Sequence, residues 1–95
     1  MIKDINRLIE VLETTKELLV KYDNISWEGL SPAEVGMDLE ISIEKLKNNE
    51  SIDKEYLKSL YAPTGLIQDC SIANDWTVKY LELSQEFDSL IDGVK

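Results

Sequence analysis

Ser31-Pro32-Ala33-Glu34-Val35-Gly36-Met37-Asp38-Leu39-Glu40-Ile41-Ser42-Ile43-Glu44-Lys45-Leu46-Lys47 reads as a helix that carries its own start signal. The Ser31 hydroxyl is placed to accept from an orphan backbone N–H, and Glu34, three residues on, completes a capping box. Pro32 takes the first helical position, where its missing donor costs nothing. Glu34 also lies near the positive end of the helix dipole. At about 100° per residue, Val35, Leu39, Ile43 and Leu46 point one way. Met37 and Ile41 point well away from them. Glu34 and Asp38 flank that pair on one side, Glu40 and Glu44 on the other. The helix should stop at Asn48-Asn49.

Working outward, the segment before it predicts a helix from about Lys3 to Tyr22. Ile2, Ile5, Leu8, Ile9, Leu12, Leu19 and Tyr22 recur at three- and four-residue steps. Val11, Thr15 and Leu18 widen that stripe, so this helix packs on more than one neighbour. Lys16 falls inside the stripe, where its stem covers apolar surface and its amine reaches water. Asp23 to Leu30 reads as a connection. Within it, Trp27 is either a core plug or an exposed anchor.

After Asn49 a short helix is expected from about Asp53 to Tyr61, with Ser51 as a weak cap. Ala62-Pro63-Thr64-Gly65 ends it, because proline disfavours helix in the residue before it and removes a donor. Leu66 to Ile72 reads as a turn or irregular connection. A last helix is predicted from about Asp75 to Asp92, capped by Asn74 and stopped by a left-handed Gly93. Its stripe is Trp76, Tyr80, Leu83, Phe87, Leu90 and Ile91, with Val78 and Leu81 off it. No strict alternation is long enough for a strand. Together these segments predict an all-α fold: a small antiparallel bundle of about four helices in one domain spanning residues 1–95.

Composition narrows the function. The chain has 95 residues, a net charge of −9 and no His. Between Tyr22 and Glu44 it carries six acidic residues, Asp23, Glu28, Glu34, Asp38, Glu40 and Glu44, and neither Lys nor Arg. A hydrophobic content of 43% is that of a folded protein, so the acidity does not signal disorder. Nucleic acid and anionic membranes are poor partners for such a chain, because both are bound through cationic side chains. No segment is long and apolar enough to span a bilayer, and the N-terminus lacks the apolar stretch of a secretory signal. The single Cys70 forms no internal disulfide, which fits a reducing cytoplasm.

Catalytic chemistry is poorly supplied. Without His the usual general base near neutral pH is missing. Cys70 stands beside Asp69, which disfavours the thiolate, so it reads as a buried structural thiol. The carboxylate pairs Glu34/Asp38, Glu40/Glu44, Glu82/Glu86 and Asp88/Asp92 each share a helical face. A di-metal carboxylate bundle adds a Glu-x-x-His element, and no such element is present. Solvated faces are the favoured reading of these pairs. The expectation is a non-enzyme with no metal and no cofactor.

The sharper signal is the second helix. An apolar strip between acidic pairs suits a basic protein partner, with Met37 and Ile41 as the desolvated centre and Glu34, Asp38, Glu40 and Glu44 receiving Lys or Arg at the rim. The competing reading makes this the central helix of the bundle, with Met37 and Ile41 packed inside the monomer.

From Leu60 the chain reads Leu60-Tyr61-Ala62-Pro63-Thr64-Gly65-Leu66-Ile67-Gln68-Asp69-Cys70-Ser71-Ile72-Ala73-Asn74-Asp75-Trp76, then Tyr80-Leu81-Glu82-Leu83-Ser84-Gln85-Glu86-Phe87-Asp88. This stretch, about a third of the chain, resembles small bacterial immunity proteins encoded with toxins of contact-dependent growth inhibition and other polymorphic systems. The resemblance implies an immunity protein that binds one cognate toxin domain and blocks it. Many such toxins are nucleases with basic clefts, which an acidic inhibitor matches in charge. The motif also has a structural explanation: Pro63 and Gly65 set a turn, while Gln68, Asp69, Ser71 and Asn74 satisfy loop backbone. The alternative function is a structural or regulatory helical interaction module, including a homodimer built on Met37 and Ile41.

Overall fold

A computed structural model describes residues 2–22, 29–63 and 65–94. They form five helices: α1 (Ile2–Lys21), α2 (Pro32–Lys47), α3 (Lys54–Tyr61), α4 (Leu66–Ala73) and α5 (Thr77–Ile91). The fold is an all-α bundle. α1 packs on α2 along one side and on α5 along another, and α3 and α4 close the far side against α5. The radius of gyration is 12.4 Å. That is the value of a compact chain of this length.

The apolar stripes meet in one core. Leu8, Leu12 and Leu19 of α1 contact the layer made by Val35, Leu39 and Ile43 of α2, Leu57 and Leu60 of α3, Leu66 and Ile67 of α4, and Phe87 and Ile91 of α5. All are fully buried or within a few per cent of it. Each such side chain contributes roughly 1.5–3 kcal/mol by leaving water. Cys70 is fully buried, with its thiol hydrogen-bonded to the Tyr22 carbonyl at 3.4 Å.

Helix ends follow local chemistry. The capping box of α2 is complete: the Glu34 N–H donates to Ser31 Oγ at 3.2 Å, and the Ser31 N–H donates to Glu34 Oε1 at 3.2 Å. At its other end Asn49 adopts φ 59°. The Glu50 N–H then reaches the Lys45 carbonyl at 2.8 Å and the Asn49 N–H reaches that of Leu46 at 3.2 Å. This is a Schellman stop. Ala62 is extended, ψ 154°, as a residue before proline must be.

Four expectations need correction. The segment Leu66–Ala73 is a helix, α4, and not an irregular connection. Eight residues make a poor helix alone, so local signals point to a turn. What holds it is burial of Leu66, Ile67, Cys70 and Ser71 against its neighbours. Asn74 therefore closes α4 instead of opening α5; its side-chain amide donates to the Cys70 carbonyl at 2.9 Å. Asp75 takes φ 64° and the Trp76 N–H donates to the Ser71 carbonyl at 2.9 Å, a second Schellman stop. Helix α3 is capped by Asp53, whose carboxylate accepts from the Tyr56 N–H at 3.1 Å, and not by Ser51. Gly93 is not left-handed; α5 ends in a tight turn with the Gly93 N–H on the Leu90 carbonyl at 3.1 Å.

A buried polar chain ties α1, α3 and α5 together. Thr15 Oγ1 donates back to the Val11 carbonyl at 2.8 Å and accepts from the Tyr61 hydroxyl at 2.6 Å. The Tyr61 ring stacks on Phe87, with centroids 4.1 Å apart. Pro63 stops α3, and among the described residues the Tyr61 carbonyl takes side-chain donors. The Tyr80 hydroxyl supplies one at 2.8 Å, and Ser84 Oγ lies at 3.4 Å.

Candidate functional site

The outer face of α2 carries the apolar pair that its sequence sets apart. Met37 is 68% exposed and Ile41 55% exposed, while Val35, Leu39, Ile43 and Leu46 are buried beneath them. Glu34 and Glu44 are exposed, and Asp38 and Glu40 are half-buried. So the six residues Glu34, Met37, Asp38, Glu40, Ile41 and Glu44 share one helix, and none is sealed in the core. Trp27, Asp23 and Glu28 lie outside the described residues.

The carboxylates are not equivalent. Glu34 Oε1 is engaged in its own helix cap. Asp38 Oδ2 accepts from the Tyr56 hydroxyl at 2.6 Å. Burial, then this hydrogen bond to an anionic carboxylate, pushes the Tyr56 hydroxyl well above its ordinary value. Glu40 accepts from Lys16 Nζ at 2.6 Å across the α1–α2 seam. The Lys16 hydrogen bond holds the Glu40 carboxyl below the usual range, and the same bond raises the Lys16 amine. Glu44 lies 3.9 Å from Lys47 and close enough to Glu40 to act on its carboxyl. Glu44 is exposed and, among the described residues, joins neither a helix cap nor a contact to another helix.

Beside this face runs an open groove of about 690 Å³, lined by Lys16, Glu17, Val20 and Lys21 of α1 and by Gly36, Met37 and Glu40 of α2. Gly36 lets the two helices approach closely. A Cβ added there would stand 3.1 Å from Val20 Cγ2 and 3.5 Å from Lys16 Cγ. Val20 is itself 53% exposed. Sequence reasoning placed Lys16 on the α1 stripe but did not foresee Val20 or Gly36 as part of a surface. The available signal was weak: Val20 follows the buried Leu19 and has no place on the main stripe.

Other large apolar side chains are exposed away from α2. Ile72 on α4 and Val78 and Leu81 on α5 are 60%, 72% and 49% exposed. No metal cluster forms among the described residues: no three His, Cys, Asp or Glu side chains converge, so the i,i+4 carboxylate pairs stay pairs. No helix of the described residues is long and apolar enough to cross a membrane.

The chain matches no known protein family, no curated protein and no solved structure.

Proposed function

We propose that this chain is an immunity-type inhibitor: a cytoplasmic, non-enzymatic protein that binds a basic toxin domain of a contact-dependent or related system through the outer face of α2. One observation carries the reading. Met37 and Ile41 stand exposed, one helical turn apart, with Glu34, Asp38, Glu40 and Glu44 around them. Exposed apolar residues inside a charged rim have the composition of a protein interface, with the apolar centre excluding water from the surrounding charges. A net charge of −9 speeds the encounter with a cationic surface and opposes self-association. The toxin part of the reading rests on the resemblance of the Leu60–Asp88 stretch.

The test uses the C-terminal domain of any large exported protein encoded in the adjacent upstream reading frame. That domain should form a one-to-one complex with the chain, and its toxicity should be suppressed by co-expression. The association rate should fall by at least about tenfold between about 0.05 M and about 0.5 M salt. Met37→Lys combined with Ile41→Lys should abolish binding and leave the helical circular dichroism unchanged. A complex that forms equally well with this double variant overturns the assignment of the site, and a flat salt dependence removes the electrostatic part.

A further inference from the structure

The exposed strip of α2 borders a two-helix seam, and the seam constrains what fits there. Its walls are side chains, Val20 on α1 and Met37 on α2, and the buried Gly36 lets Val20 close over the floor between them. Backbone N–H and C=O groups inside α1 and α2 are already paired within their own helices. A segment entering the seam in extended form would bring unpaired backbone groups against Val20 and Met37, which offer them nothing. A helix brings its backbone groups already satisfied. Met37 and Ile41 also repeat at the i,i+4 step that forms a helix ridge, the spacing that a third helix meshes with.

Charge sets the orientation. The Lys16–Glu40 pair removes one charge from each wall. What remains on the α1 wall is Glu17 and Lys21, which offset each other. On α2 the exposed Glu44 lies one turn beyond Glu40, with Glu34 on the outer flank. The exposed acidic charge beside the groove therefore lies mainly on the α2 side, at Glu44, and it favours a cationic flank there. A second copy of this chain is a poor occupant, since each copy carries −9.

We propose that the toxin segment seated here is an amphipathic α-helix laid along the α1–α2 seam. Its apolar residues, an i,i+4 pair, pack between Val20 and Met37 with Ile41 at the outer edge. Lys or Arg on its α2-facing flank meets Glu44. This rests on the toxin-inhibitor reading above and specifies the chemistry of its contact, as a case of helix-in-groove recognition.

The test is an NMR titration of the isotope-labelled full chain with a synthetic peptide of about 15 residues, Ala-based so that it is helical, with Leu at i and i+4 and Arg along one flank. Saturable shifts should concentrate at residues 16–21 and 36–44. A peptide of equal composition with Pro at its centre should bind at least about tenfold more weakly. Glu44→Lys should weaken the Arg peptide by about threefold or more and leave an uncharged Gln version unaffected. Equal binding of the Pro peptide, shifts centred on α4 and α5, or no saturable shift would overturn the proposal. Val20→Ser with Met37→Ser provides the separating measurement with the whole toxin domain. Loss of the peptide site with the toxin complex intact strikes the helix proposal alone, whereas absence of any toxin complex with the parent chain strikes the functional reading.

Discussion

Lys16 Nζ lies 2.6 Å from Glu40 Oε1, and this pair closes the seam between α1 and α2 where Gly36 lets the helices meet. The acidic face of α2 is thus partly neutralised from within. A charge-reversal experiment at Glu40 would set a new cation against Lys16 and disturb the seam itself. Glu44, exposed and outside the Lys16–Glu40 seam pair, is the cleaner position for testing partner charge.

The pair makes a titration prediction. Glu40 is held below the usual carboxylate range by the Lys16 hydrogen bond, so its contribution to the seam is present above its unfolded value and disappears as pH falls through its folded value. Carbon-detected NMR of the side-chain carboxyl should show Glu40 titrating lower in the parent than in Lys16→Met. Identical titration curves would mean that the pair does not persist in solution.

Gly36 separates stability from recognition. It sits within α2, where glycine is about 1 kcal/mol less favourable than alanine. The Cβ of Gly36→Ala would crowd Val20 Cγ2 at 3.1 Å, but Val20 is half-exposed and able to shift by a few tenths of an ångström. Urea denaturation should show Gly36→Ala stabilised by roughly 0.5 kcal/mol. The displacement of Val20 should at the same time weaken binding to a partner seated on the seam. Destabilisation would show that Val20 is held rigidly.

Gly65 is the opposite case. A Cβ there would fall 2.7 Å from both the Leu60 and Ser59 carbonyl oxygens, which are backbone atoms that cannot turn aside. Gly65→Ala should cost about 1–3 kcal/mol, with the chevron or equilibrium midpoint in urea as the measure. Asp75→Gly should move the other way by about 0.5–1 kcal/mol, because glycine adopts φ 64° without the Cβ penalty.

The tyrosine chain predicts both a mutational cost and a high-pH limit. Tyr80→Phe leaves the buried Tyr61 carbonyl, among the described residues, with the 3.4 Å contact to Ser84 and should cost about 1–3 kcal/mol. Burial raises the Tyr61 and Tyr80 hydroxyls above the ordinary value of 10.0. A raised folded value means that stability from these groups is complete below pH 10.0 and is lost as pH rises toward the folded values. The denaturation midpoint should therefore drop above pH 10.0, and Tyr61→Phe should reduce the steepness of that drop. A midpoint unchanged through that range would contradict the burial of these hydroxyls.

Much of the helix pattern was legible because its determinants are local. Ser31, Pro32 and Glu34 act within one turn, and Asn49 acts within six residues of the carbonyls it frees or engages. The periodicity of α2 also placed Met37 and Ile41 opposite its buried side, and they stand exposed. Helix α4 was not legible. Its eight residues fall below the length at which helical propensity decides, and Pro63, Gly65 and Asn74 around it are all turn formers. Asn74 fits an N-cap and a C-cap equally well by composition; the register of α4 decides which it becomes.

The candidate site divides in the same way. The one-dimensional order of residues sets which side chains share a face of α2, because a helix repeats every few residues and the pattern is complete within it. It does not set which carboxylates remain available. Glu40 meets Lys16 and Asp38 meets Tyr56 across 24 and 18 residues of chain, and the groove exists only where Val20 comes to lie over Gly36. Those relations depend on how separate helices pack, which is governed by burial of the whole core and not by the spacing of any one segment.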